Sequence, residues 1–280
     1  MICGMTYFQI CLYFLFYSFG GWVVEVIFHA VTLGKVINRG FLNGPVCPVY
    51  GFGVLSVFAL LNTLQSGGHQ MSEGMIFLFG IVLATAVELV AGWLLDVCFH
   101  ARWWDYSNKP LNFHGYICLS SSVAWGFLTI FMTDLIHRPI EKLVCGIPVI
   151  LDLLLILPVT AVFLQDAFVS IREALDFGHS LERANQIRQE LDGLRVQTAL
   201  LKMDAGDRIE EKRVELESWL KEREEALLAI RDRRKQFLQS ALRANPTMVS
   251  HKYAEELKEM MKGLSENGKG RSSQRGRRKE

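Results

Sequence analysis

Five stretches of this chain, roughly 7–31, 46–65, 74–99, 115–136 and 143–169, are each long and apolar enough to cross a lipid bilayer. Crossing the ~30 Å hydrocarbon layer as a helix takes about 20 mostly apolar residues, since only a helix satisfies its backbone polar groups within one segment. The charge distribution agrees. Residues 1–171 hold 6 basic and 9 acidic side chains, whereas 172–280 hold 24 and 20. The net charge of +1 therefore averages two unlike parts. That split excludes a uniform soluble enzyme, a wholly disordered chain and a strongly basic nucleic-acid binder. The expected fold is all-α: a polytopic transmembrane bundle of about five spans over 1–171. A charged helical, coiled-coil cytoplasmic region follows over 172–263, then a disordered basic tail over 264–280.

The spans are separated by helix-ending chemistry. Gly34 to Pro45, Gly67-Gly68-His69, the polar run from Ala101 to His114, and His137-Arg138-Pro139 each predict a break. Asp152 and Pro158 interrupt the fifth span. The first stretch lacks a basic leader and carries Glu25 and His29, so it reads as a span and not as a signal peptide. With five spans and the charged part inside, Lys35, Arg39, Arg102 and Lys109 fall in inner loops and only Arg138 and Lys142 outside. This gives a multi-pass protein of the cytoplasmic membrane with its N-terminus out and C-terminus in. The six cysteines (3, 11, 47, 98, 118 and 145) show no CxxC spacing, and no Cys/His cluster reads as a metal site. No disulfide, metal or cofactor is expected.

Charged side chains within spans cost at least ~2.5–3.5 kcal/mol on insertion scales and so face other helices or a wet cavity. Glu25 and His29 lie one turn apart on one helical face. Glu88, Gly92 and Asp96 share another face, with the two carboxylates about 12 Å apart along the axis. The glycine between them admits a neighbouring helix. Glu25, His29, Glu88 and Asp96 are thus candidates for a polar path for an ion, proton or small solute. The alternative is a buried polar set that locks the bundle. No nucleophile elbow, HExxH or carboxylate metal pair completes a catalytic site, so no enzyme is expected.

Two loops form a second candidate site. Residues 38–53 (NRGFLNGPVCPVYGFG) hold Asn38, Arg39, Asn43, Pro45, Pro48 and Tyr50. Their prolines and glycines, running into a span, predict a broken or re-entrant helix entry. Residues 102–112 supply Trp104, Asp105, Tyr106 and Asn112, where Trp and Tyr also suit an interfacial anchor. Both loops are expected on the same side, packed into one site or docking surface.

Residues 38–53, 88–96 (ELVAGWLLD) and 102–126 (RWWDYSNKPLNFHGYICLSSSVAWG) resemble the bacterial family described as putative ABC-transporter type IV, the CmpB-like permeases. The resemblance covers roughly 10–165 in matching order. It implies a multi-pass inner-membrane protein with a transport role, and it carries no catalytic or ligand assignment. The chain has no GxxxxGK[ST] loop, so ATP-driven transport would need a separate ATPase subunit. Five spans are few for one permease, which leads us to expect a homo-oligomer.

Beyond the resemblance, Ile187, Leu191, Leu194, Thr198, Leu201 and Ala205 are spaced 4-3-4-3-4. Leu216, Leu220, Leu227, Ile230, Phe237 and Ala241 continue a heptad-like seam on which Arg223 and Arg234 also fall. Gly206 between the runs permits a kinked coiled coil or a helical hairpin. A short last helix is expected near 249–263. The basic tail fits an anionic lipid surface, and without interleaved aromatic residues it does not read as a nucleic-acid binder. A second function class stays open: a non-transporting membrane scaffold or sensor that recruits partners through its coiled coil.

Overall fold

The structure is a computed structural model, and it describes residues 6–34, 36–66, 71–201 and 207–261. Cys3, Lys35, the Gly67-Gly68-His69 break, Ala205, Gly206 and the 264–280 tail lie outside the described residues. Helices dominate: α1 Tyr7–Leu33, α2 Pro48–Ser66, α3 Glu73–Phe99, α4 Leu119–Phe131, α5 His137–Gly146, α6 Val149–Leu201, α7 Asp207–Ala244 and a last helix α8 over 254–261. One two-residue hairpin, β1 Asn112–Phe113 with β2 Ile117–Cys118, precedes α4.

Four helical runs are long and apolar enough to cross a membrane: Tyr7–Thr32, Glu73–Phe99, Leu119–Gly146 and Leu153–Leu201. The second expected span is a shorter apolar helix, Pro48–Leu64. The outward side chains fit a lipid setting: on α3 they include Leu78, Val82, Val90, Trp93 and Val97, and on α6 Ile150, Leu154, Leu157, Val162, Leu164 and Phe168. An apolar surface this extensive is not left to water by a soluble protein. The molecule is an all-α, membrane-type bundle.

Local chemistry explains the ends. Thr6 Oγ1 accepts from the Gln9 amide while Gln9 Oε1 accepts from the Thr6 amide, a reciprocal cap on α1. Gly34, at φ 64°, stops α1. Pro48 opens α2 at the position where its missing N–H costs nothing.

Three expectations are corrected. Residues 36–47 are irregular, but α2 runs unbroken through Tyr50-Gly51-Phe52-Gly53, so the entry is not a re-entrant helix. The glycines serve close helix contact instead: a Cβ on Gly51 would lie 2.9 Å from the Phe14 carbonyl oxygen and 2.8 Å from its ring. His137-Arg138-Pro139 does not end a helix either. A π-helical turn over Met132–Ile136 joins α4 to α5, and the His137 amide donates to Met132 O. That shifted bonding carries the chain past Pro139, which cannot donate. Finally, α6 runs without a break through Asp152 and Pro158.

The chain divides into two units. The first comprises residues to Val97, Arg102–Arg172 and Ala244–Met248. Its apolar core joins Leu12, Tyr13 and Tyr17 of α1, Val57, Phe58 and Leu61 of α2, Val144 of α5 and Ile156 of α6. The second comprises Cys98–Ala101, Glu173–Arg243 and the described residues from Val249 onward. Within it, the later part of α6 and α7 form an antiparallel hairpin. Phe177 and Phe237 rings meet at 5.1 Å, Arg234 Nε donates to Ser180 Oγ at 2.9 Å, and Arg223 pairs with Glu190 at 2.9 Å. The seam residues Leu191, Leu216 and Ala241 are buried. Arg223 and Arg234 fall on the seam because each reaches a carboxylate on the opposite arm, Glu190 and Asp176 respectively.

Candidate functional site

Two polar clusters of the membrane unit are joined by a pair of aromatic rings. The first is built on Glu25 of α1. Tyr50 Oη donates to Glu25 Oε1 at 2.8 Å, and Arg39 Nη1 approaches Glu25 Oε2 at 3.3 Å. His29, one turn on, lies against Arg39 and holds its Nδ1 3.0 Å from the Glu25 carbonyl. Arg39 Nε donates to Ala244 O at 3.0 Å. The Glu25 carboxylate thus has a full cation beside it.

The second cluster is built on Glu88 of α3, only 6% exposed. Tyr106 Oη donates to Oε1 at 3.1 Å, and Trp125 Nε1 and Ser121 Oγ donate to Oε2 at 2.9 and 3.3 Å. The link is the Trp125 ring, whose centroid lies 4.9 Å from that of Tyr50. Glu25, Tyr50, Trp125 and Glu88 therefore form one continuous chain of contacts across α1, α2, α4 and α3.

Asp96 is not on that chain. Arg102 Nε donates to Asp96 Oδ2 at 2.7 Å, and Tyr116 Oη donates to the same oxygen at 2.7 Å. Arg102 also donates to His114 O and stacks 4.2 Å over the Tyr116 ring. Burial and the bond to Asp96 push the Tyr116 phenol up, so it keeps the proton it donates. What approaches Gly92 is not a helix but this loop, with Trp104 and Tyr116 atoms 3.2 Å from where a Cβ would stand.

Loop 102–118 is shaped to deliver Tyr106. Trp104 Nε1 donates to Tyr116 O, and Asp105 Oδ1 accepts from the Ser107 amide. Asn112 Nδ2 donates to Lys109 O while its Oδ1 accepts from the Gly115 amide. Gly115 has φ 75°, a left-handed conformation suited to glycine, and its carbonyl accepts from the Tyr106 amide at 2.8 Å. Burial, then the nearby Glu88 charge, push the Tyr106 phenol up.

Loop 36–47 is tied down in the same way. Asn38 accepts from Trp22 Nε1 and donates to Asn43 O; the Asn43 side chain donates to Ser170 Oγ, and the Gly44 amide to Asp166 Oδ2. Phe41 meets Trp103 edge-on at 5.1 Å, which brings the two loops together. Pro45 lies in the tied-down segment and Pro48 begins α2. Sequence reasoning did not single out Ser121, Asp166, Ser170 or Trp22 as site residues; none carries a spacing signal. No group of three or more His, Cys, Asp or Glu residues suited to a metal occurs among the described residues.

A family model described as Putative ABC-transporter type IV matches residues 12–171. The chain belongs to this family. Every member of the two clusters except Ala244 falls inside the matched type IV region, while α7 and α8 lie beyond it. No curated protein and no solved structure matches the chain.

Chemically, the type IV region offers two unlike carboxylates. Glu25 is paired with an arginine, Glu88 meets neutral donors only among the described residues, and the Tyr50 and Trp125 rings stand between them.

Proposed function

We propose that this chain is the membrane-embedded permease subunit of an ABC-type transport system, moving a small solute or ion along the polar chain Glu25–Tyr50–Trp125–Glu88. The observation that carries this reading is the convergence of two carboxylates, from α1 and α3, on one aromatic pair inside an apolar bundle. Such groups are costly in lipid and concentrate on transport paths. Tyr50 and Trp125 are the barrier between the two sites, and loop 36–47 holds the Arg39 that neutralises Glu25. Asp96 belongs to the loop scaffold. A separate ATPase subunit supplies the energy, and the subunit works as a homo-oligomer in the cytoplasmic membrane. Its N-terminus faces out and the charged hairpin faces the cytoplasm, with the basic tail on anionic lipid. It has no enzymatic role of its own.

Reconstitution in proteoliposomes tests this reading, with an entrapped pH-sensitive dye and a clamped membrane potential. Glu25→Gln and Glu88→Gln should each lower flux at least tenfold. If both variants fold and flux equals that of the parent, the path is refuted.

A second reading is favoured by one observation: both Glu88 oxygens already hold donors, as in a bundle lock. On that reading the bundle is an anchor, and the charged hairpin recruits a partner. Unchanged flux with a lowered unfolding temperature in both variants would select it.

A further inference from the structure

We infer that Glu88 is a proton-exchanging site, with Tyr106 as the group that accommodates both of its protonation states. The inference deepens the proposed reading by naming the cation that Glu88 itself binds and releases, and it rests on that reading only for its role in flux.

Three carboxylates of the membrane unit differ in what balances their charge. Glu25 has Arg39 and Asp96 has Arg102. Glu88, the most buried side chain of the three, takes part in no ion pair among the described residues. Its donors are a phenol, a hydroxyl and an indole, all neutral. A buried carboxylate without a counter-charge is compensated most simply by the smallest cation, the proton.

The surroundings also say which oxygen takes it. Oε2 already accepts from Trp125 Nε1, which can only donate, and from Ser121 Oγ at the longer 3.3 Å, so a proton there would have to displace one of two donors. Oε1 faces Tyr106 Oη at 3.1 Å, and a phenol both donates and accepts. With Glu88 ionised, Tyr106 donates to Oε1. With Glu88 protonated, Oε1–H donates to Tyr106 Oη and the phenol hydrogen turns away. The proton comes from water and returns to water, and no bond other than O–H changes.

The same donor chemistry limits where the proton can go. Because the indole nitrogen cannot accept, Trp125 does not relay a proton towards Tyr50 and Glu25. The two carboxylates are coupled through charge, not through a proton wire. The titratable or charged groups facing Glu88 are Tyr106 and, at the α4 entry, Cys118. Across the ring pair stand Tyr50 of α2 and Glu25 of α1, the latter with His29 and Arg39.

Infrared difference spectroscopy of the full chain in lipid, titrated with acid and base, tests this directly. A carboxylic-acid C=O band should appear and vanish with pH, and Glu88→Gln should remove it entirely. Tyr106→Phe should keep its area but move it to the position of a weakly hydrogen-bonded acid. The proposal is overturned if Glu88→Gln leaves every titrating band in place, or if Tyr106→Phe leaves the band unmoved. The second arm decides alone should Glu88→Gln not fold. Flux in the same vesicles separates the two ideas. A band without altered flux refutes the transport path and keeps the proton site, while lost flux without a band does the reverse.

Discussion

Trp125 donates its indole N–H to Glu88 at 2.9 Å while its ring lies 4.9 Å from that of Tyr50, whose hydroxyl bonds to Glu25. One side chain of α4 therefore ties the carboxylate of α3 to the carboxylate of α1, through a residue of α2. Two effects are superimposed in it: a charge-assisted bond to a buried acid, and aromatic packing.

Trp125→Phe separates those effects, since it keeps a ring against Tyr50 and removes the donor. A hydrogen bond to a charged group contributes about 1.5–3 kcal/mol. The unfolding free energy of the purified protein should fall by about that much. In a double-mutant cycle with Glu88→Gln, the loss should shrink by more than half. Equal losses in both backgrounds would mean that the bond contributes little and the packing dominates.

Helix spacing controls the same site through Gly51, the residue after Tyr50. Its absent side chain lets α2 approach Phe14 and Ser18 of α1. Gly51→Ala forces the helices apart, with an overpacking cost of about 1–3 kcal/mol. Gly20 has nothing within 4 Å of a built Cβ, so Gly20→Ala should be neutral or gain up to about 1 kcal/mol from helix propensity. Thermal unfolding of the two variants side by side checks this. A destabilised Gly20→Ala with an unaffected Gly51→Ala would reverse the assignment of the contact.

Much of this architecture is visible in the sequence, for physical reasons that also mark where reading stops. The spans declare themselves because lipid demands about 20 apolar residues in a row, and Gly34 and Pro48 end and begin helices by local backbone chemistry. Glu25 and Glu88 stand out because charge is rare in such segments. Their connection is invisible there: Tyr50 and Trp125 are 75 positions apart, and no periodicity pairs them. Asp96 misleads by sharing a helical face with Glu88, when its partner is Arg102, six residues on, just past the helix end. Pro139 misleads in the opposite direction. It reads as a stop, yet a π turn five residues wide absorbs it, and that rearrangement has no local signature. The seam over 187–241 is legible as apolar spacing. The choice of a hairpin is written in Arg223 and Arg234, whose carboxylates become evident only once the arms are antiparallel.

The Asp96–Arg102 pair predicts its own consequence. Both side chains are largely buried, at 16% and 12% exposed, and Arg102 also holds His114 O and Tyr116. Asp96→Ala leaves that guanidinium without its counter-charge, at a cost of about 3–5 kcal/mol. The damage should be local to loop 102–118. Amide hydrogen exchange there should accelerate at least tenfold while α1 and α2 keep their protection. Uniform acceleration throughout the bundle would show that the pair supports the whole unit and not the loop.

The hairpin can be tested apart from the membrane site. Phe177 is fully buried and meets Phe237 of the opposite arm at 5.1 Å. Removing its ring opens a cavity between α6 and α7, and Phe→Ala changes of this kind cost about 3–5 kcal/mol. Leu228, 46% exposed on α7, should tolerate alanine within about 0.5 kcal/mol. Hydrogen exchange of α7 amides in the full chain distinguishes them: Phe177→Ala should raise exchange along α7, and Leu228→Ala should not. Were α7 equally protected in both variants, the arms would be held by something other than the seam. The apolar positions over 187–241 would then be free to engage a second chain, as the scaffold reading requires.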